Sequence, residues 1–323
     1  MSLGWSGTLA PVDVLHGMET LPPVQPSVVT VGFFDGVHLG HRAVLGRTVA
    51  AARDRAARSV AVTFARHPRE VLTPGQEPRL LTTVERKAGL IAGMGIELLV
   101  VLPFDRDFSL VTAEDFVADI LVSKLGAIHG VMGANFTFGF KALGTIDTLP
   151  AMGAPHGLTA EPVPLVELAG RTVSSSSIRA ALGEGDLVWP ERALDRPFVL
   201  DGEVVTGHGR GRELGFPTAN LRTWPRLLLP GQGIYAGVAD HRGRRYRAAI
   251  DVGTNPTFGV EPLHVEAFLL DYDGPELPGE PLGIEFRARL RDEVRYERVD
   301  ELVEAIDRDV ARTRELVPAD ALS

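Results

Sequence analysis

Cysteine is absent from the 323 residues, and its absence excludes disulfides, zinc–thiolate centres and thiol nucleophiles together. No apolar run approaches the roughly 18 residues a membrane helix needs. No basic stretch followed by an apolar one opens the chain, so no signal peptide is read. A surplus of positive charge is also missing: 33 Lys and Arg stand against 42 Asp and Glu, a formal net charge of −9. That balance argues against a broad nucleic-acid-binding face. It leaves nucleotides open, because a local basic pocket with magnesium can hold a triphosphate inside an acidic protein. Neither an internal repeat nor a low-complexity tract is found. The expectation is a cytoplasmic protein with no nucleic-acid partner and no membrane partner.

What is present suggests two domains. At roughly 100–200 residues per domain, the length fits two, and 45% hydrophobic residues supply two cores. Residues 1–26 carry four prolines and read as an irregular lead-in. Strands and helices then alternate: strand 27–31, helix 40–57, strand 59–64, helix 83–94, strand 98–102, a helix opened by a Thr112–Asp115 capping box and running to about Leu125, and strand 129–133. This order implies a parallel sheet covered by helices. The pattern changes after about residue 187. Residues 189–197 read as a proline-containing connector. Five β-type runs follow, at 198–207, 234–241, 246–252, 264–271 and 283–290, separated by Gly/Pro-rich loops. They suggest an antiparallel barrel or sandwich. Apolar residues at Leu302, Val303, Ile306, Val310 and Leu316 then give helical spacing. The expected domains are 1–187 and 188–323: a Rossmann-like parallel α/β sheet, then an antiparallel β-barrel with a terminal helix.

The first strand runs into Gly32-Phe33-Phe34-Asp35-Gly36-Val37-His38-Leu39-Gly40-His41 and then a helix. Glycines let the backbone approach a phosphate, and a helix N-terminus offers free N–H groups and a positive dipole end. If the helix starts near His38, both histidines lie on one side of its first turn. They can then donate to a phosphate that gains charge in the transition state. The plainer alternative is two histidines in a solvated loop. Further along, Ser174-Ser175-Ser176-Ser177-Ile178-Arg179 precedes a short helix, as an anion site or as simple capping.

The second half holds Gly207-His208-Gly209-Arg210-Gly211-Arg212-Glu213-Leu214-Gly215-Phe216-Pro217-Thr218-Ala219-Asn220. Its glycines let backbone amides reach phosphates. Thr218 and Asn220, two apart on an extended segment, point the same way and offer hard oxygen ligands of the kind magnesium takes. A glycine-rich hairpin is the plainer alternative. In the strand starting at His264, alternation puts Glu266 with Phe268 and Leu270. A carboxylate among apolar residues there would have reason to be functional.

The string around His38 and His41 resembles the first motif of the prokaryotic bifunctional riboflavin kinase/FMN adenylyltransferase (FAD synthetase) family. Thr63-Phe64…His67-Pro68, Gly133-Ala134-Asn135-Phe136 and the serine run resemble its next motifs, in order. The loop ending in Pro217-Thr218-Ala219-Asn220 resembles its kinase signature, and Val265-Glu266…Leu270-Asp271 its base-bearing strand. The likeness spans roughly residues 27–316. It implies ATP-dependent phosphorylation of riboflavin to FMN and adenylyl transfer from ATP to FMN, giving FAD. It implies that His38 and His41 are catalytic on the α-phosphate and that Glu266 is the kinase base. It implies nucleotide contacts from Gly32, Phe33, Asp35, Gly36, Asn135, Ser174, Ser175, Ser176 and Arg179 in one half. In the other half, Gly207, Gly209, Arg210, Gly215, Thr218 and Asn220 take that role, the last two also binding Mg2+. The expected assembly is a monomer or weak homo-oligomer.

Four departures from the family pattern stand out: Ser176 for a usual threonine, Arg66 for a frequent proline, Leu277-Pro278-Gly279 where Leu-Tyr-Gly is common, and Asp195 in the junction segment. Two other readings remain: a riboflavin kinase with an inactive adenylyltransferase half, and a flavin carrier. The second does not need a base such as Glu266.

Overall fold

Runs of buried β-branched and leucine residues set the first architecture. The computed structural model describes residues 12–207, 215–224, 226–254, 263–275 and 277–322. Strands β1 (Asp13–His16), β2 (Ser27–Val31), β3 (Arg58–Phe64), β4 (Leu98–Leu102), β5 (Ala127–Gly133) and β6 (Thr159–Val163) form one sheet in the order β1-β4-β3-β2-β5-β6. Every pairing in it is parallel. β2 and β4 are buried at all positions, as strands covered on both faces must be. Helices α1 (Leu39–Asp54), α2 (Val84–Ala92) and α3 (113–124) connect the strands. Thr112 caps α3, accepting the Asp115 N–H at 3.0 Å, and the turns from Phe116 to Lys124 are π-wound.

Two edge strands lie where no strand was expected. β1 falls in the proline-rich lead-in, and its four residues are mostly exposed, so no alternation marks it. β6 contains Pro162. An edge position tolerates a residue without an N–H.

A second compact unit takes Arg79–Thr83 and Ser175 onward. Helix α4 (Ser175–Gly183) leads to α5 (Val188–Leu194), where the sequence suggested a connector. Pro190 sits in the first turn of α5, where no helical hydrogen bond is lost, and Asp195 ends the helix at φ 57°.

Strands β7 (Phe198–Val205), β8 (Thr218–Thr223), β9 (Gly233–His241), β10 (Arg244–Gly253), β11 (His264–Leu269) and β12 (Pro281–Arg291) close a barrel in the order β7-β8-β11-β10-β9-β12. All of its pairings are antiparallel. Six strands replace the five expected, because the Thr-Ala-Asn segment is itself β8. Closure removes the open edges. Helix α6 (Val299–Leu316) packs on β9, β10 and β12. Arg291 Nη2 holds the nearly buried Asp309 at 2.7 Å.

Among the described residues no helix is long and apolar enough to cross a membrane.

Candidate active sites

In the sheet, β2 has β3 and β4 on one side and β5 and β6 on the other. Ligands of open α/β sheets bind beyond the carboxyl ends of the strands at such a reversal. The turn after β2 carries Gly32, Phe33, Asp35 and Gly36, and the turn after β5 carries Asn135. Both predicted segments therefore leave the sheet at this crevice. Asn135 is exposed, in a turn closed by the Phe136 N–H to Gly133 carbonyl bond at 2.9 Å.

The turn after β2 is strained. Phe34 has φ 53°, Gly36 φ 79° and Val37 φ 42°, and a β-branched residue at positive φ is rare. Strain of this kind persists where the surroundings over-determine it. Here the Phe34 and Val37 side chains are buried in a cluster with Leu45, Ala61 and Ile91. The chain is thereby steered into the N-terminus of α1.

His38 is the N-cap of α1, and its Nδ1 accepts the His41 N–H at 3.4 Å. The two rings stack with centroids 3.6 Å apart, 20° from parallel. The Phe34 ring meets His41 edge-on at 5.3 Å. A Cβ on Gly40 would come 3.2 Å from His38 Cε1 and 3.7 Å from the Val173 carbonyl oxygen. The glycine between the histidines thus makes room for the stacked pair. The pair sits at the positive end of a helix.

Beside the turn after β2 lies a residue that the sequence patterns did not single out. Lys87 is 2% exposed. Its Nζ donates to the Phe33 carbonyl at 3.0 Å and the Phe64 carbonyl at 3.1 Å, and lies 4.3 Å from the Phe33 ring centroid. Thr63 Oγ1 also donates to the Phe33 carbonyl, at 3.0 Å. Burial pushes the Lys87 ammonium down to about 8, opposed by the Asp35 carboxylate. Phe33 in turn meets His67 edge-on at 4.7 Å. A signal for Lys87 does exist: it interrupts the apolar stripe Val84–Ala88–Ile91 of α2.

The serine run behaves differently. Ser174 ends the first unit and Ser175 opens α4 in the second. Ser174, Ser175 and Arg179 are half-buried, while Ser176 is exposed.

In the barrel, the interior takes Ala219 and Leu221 from β8, Val265, Ala267 and Leu269 from β11, and Ile250 and Val252 from β10. The outer face carries the predicted chemistry. Asn220, Glu266 and Asp251 are register partners in a row across β8, β11 and β10. Thr218 Oγ1 donates to Glu266 Oε2 at 2.8 Å, and His264 Nε2 lies 3.6 Å from Glu266 Oε1. Phe268 shares the face and meets Phe216 edge-on at 5.4 Å. Glu266 therefore sits in a mainly polar group, not among apolar residues as expected, because the apolar residues of β11 point into the barrel. Leu270 lies past the strand end and is buried.

Gly207 explains itself by contact: a Cβ there would stand 2.2 Å from Asn220 Nδ2. Gly215 has φ 86°, which suits only glycine without strain. Gly209 and Arg210 lie outside the described residues.

Asp251 was also missed. A Cβ on Gly253 would lie 2.7 Å from Glu293 Oε1 and 3.0 Å from Asp251 Oδ1, so two carboxyls crowd one spot. Asp251 Oδ1 is buried without a hydrogen-bond partner. Burial first, then the Glu293 and Glu266 charges, push its carboxyl up to about 7.

The family model described as FAD synthetase matches residues 22–177, and the one described as riboflavin kinase matches residues 194–317. A bifunctional riboflavin kinase/FMN adenylyltransferase of Pseudomonas fluorescens is 36% identical over 312 residues, covering 96% of this chain and 99% of its own. The protein of the same name from Bacillus subtilis is 34% identical, covering 92% and 95%. A crystal structure described as a macrolide-efflux protein from Streptococcus pneumoniae superposes with a TM-score of 0.84 at 29% identity, covering 94% of this chain and 99% of that one. That description belongs to the other protein.

Proposed function

The chain belongs to the bifunctional riboflavin kinase/FMN adenylyltransferase family, and we propose that its two halves divide the two reactions, with the residues described above in named roles. The barrel half phosphorylates riboflavin with ATP to give FMN. The sheet half transfers the adenylyl group of a second ATP to FMN, giving FAD and pyrophosphate.

In the sheet half, the FMN phosphate attacks the α-phosphorus of ATP and the bond to pyrophosphate breaks. His38 and His41 donate to the α-phosphate oxygens as charge gathers there. Gly32, Phe33, Asp35, Gly36 and Asn135 line the nucleotide crevice. The segment with Ser174, Ser175, Ser176 and Arg179 is assigned the β- and γ-phosphates by its likeness to the family motif alone, as hydroxyls and a guanidinium suit an anion. The stacked histidines at the N-terminus of α1 are the observation that carries this half.

In the barrel half, Glu266 accepts the proton of the riboflavin 5′-hydroxyl as its oxygen attacks the γ-phosphorus and ADP leaves. Gly207, Gly209, Arg210 and Gly215 hold the phosphates. The donor set fits Mg2+: Thr218 and Asn220 present hard oxygens on one face, and the contact of Gly207 with the Asn220 amide restricts that side chain. Few protein ligands are needed, since Mg2+ is commonly shared with nucleotide phosphates and water. When bound, it neutralises phosphate charge. The row Asn220–Glu266 with its Thr218 bond supports this reading.

A cytoplasmic monomer or weak homo-oligomer, with riboflavin, FMN, FAD and ATP as its ligands and no nucleic-acid partner, completes the proposal. The test is incubation of the purified protein with riboflavin, ATP and Mg2+, resolving FMN from FAD over time. FMN should appear first and FAD after it. Absence of FAD when FMN is supplied would leave only the kinase.

A further inference from the structure

Lys87 is a choice the fold alone does not explain. It occupies an apolar stripe position of α2, beside Val84, Ala88 and Ile91, all packed in one cluster. Methionine would fill such a position without desolvating a charge. Burying an ammonium with no ion-pair partner is unfavourable, and among the described residues no carboxylate bonds to Lys87. Its bonds run instead to two backbone carbonyls. Both carbonyls belong to residues just at the ends of site strands: Phe33 follows β2, and Phe64 ends β3. The cation also lies against the face of the Phe33 ring, a favourable placement. The Phe33 ring also meets the His67 ring edge-on.

We propose that Lys87 is a positioning residue of the adenylyltransferase site, tying the ends of β2 and β3 together beneath Phe33 and so fixing the strained turn that presents His38 and His41. The inference rests on the adenylyl-transfer reading above. Phe33 is held by its carbonyl, through Lys87 and Thr63, and by its ring. Next along the chain, Phe34, Gly36 and Val37 carry the positive φ angles that aim the chain into α1. Without the ammonium, the Phe64 carbonyl loses a donor and the ring loses its cation. The turn then relaxes around a smaller set of constraints, and a displacement of about 1 Å at catalytic groups costs roughly a hundredfold in rate.

The test is Lys87→Met in the full chain, beside Lys87→Gln, which keeps a donor and drops the charge. FAD formation from supplied FMN should fall at least tenfold in kcat in the methionine variant, with a smaller change in KM for ATP. FMN formation by the same molecules should keep its rate, and the melting temperature should hold or rise. The glutamine variant should fall between wild type and Lys87→Met. Normal FAD formation in a folded variant overturns the proposal. So does a loss that follows a lowered melting temperature and is regained on cooling, and so does failure of both variants to fold, which makes Lys87 a requirement of the fold. Wild-type protein that makes no FAD speaks against the underlying reading instead.

Discussion

The Thr218 hydroxyl donates to Glu266 Oε2 at 2.8 Å across β8 and β11, joining a proposed metal ligand to the proposed base. This bond fixes which way the carboxylate faces. Thr218→Val keeps the branched shape and removes the donor. A hydrogen bond to a charged group is worth about 1.5–3 kcal/mol, so riboflavin phosphorylation should fall roughly ten- to hundredfold. Steady-state kinetics of FMN formation check this, with FAD formation from supplied FMN as the unaffected control.

Gly207→Ala puts a methyl group where Asn220 Nδ2 already stands 2.2 Å away. The amide must swing aside, taking one proposed magnesium ligand with it. The expected result is a raised Mg2+ requirement for the kinase reaction, read as a shifted midpoint in a Mg2+ titration. An unchanged midpoint would mean that the amide does not touch the metal.

Gly40→Ala tests the histidine pair without removing either ring. The new methyl would press on the His38 ring at 3.2 Å and part the stack. FAD formation should fall at least tenfold while FMN formation holds. A folded variant with full FAD formation would show that the stacked arrangement is dispensable.

Asp251 gives a stability prediction with a definite sign. Its carboxyl is raised from 3.8 to about 7 in the folded chain. Between those values the native state holds a proton that the unfolded state has lost. This contribution to stability is full below about 4 and disappears as pH rises through about 7. Asp251→Asn removes the ionisation, so its advantage over wild type should grow from pH 5 to pH 8, by an amount on the order of a few kcal/mol. Thermal melts of both proteins at the two pH values measure it. A pH-independent difference would mean that Asp251 is ionised in the native state.

The sequence was most informative where the chemistry is contiguous. His38, Gly40 and His41 share one helix turn, so spacing alone brings them together. Glu266 could be assigned to a face because strand alternation is local. Its neighbours could not, since Thr218 and Asp251 reach it from other strands. Lys87 was missed for the same reason, as its partners Phe33 and Phe64 lie far away in the chain. The short edge strand β1 escaped because its exposed residues carry little periodicity, and β6 because Pro162 interrupts its strand pattern. Helix α5 escaped because a proline in a first turn looks like a break until the turn is seen.

The central claim is that two separate sets of residues run two separate reactions, and one paired assay tests it. Glu266→Gln and His38→Ala are each given riboflavin with ATP and Mg2+, and separately FMN with ATP and Mg2+, with both flavin products quantified. Loss of the general base should cost the glutamine variant about 10²–10⁴-fold in FMN formation and leave its FAD formation from FMN intact. Loss of an α-phosphate donor should cost the alanine variant roughly 10²–10³-fold in FAD formation and leave its FMN formation intact. If either substitution lowers both reactions equally in a folded protein, the division between the halves is contradicted.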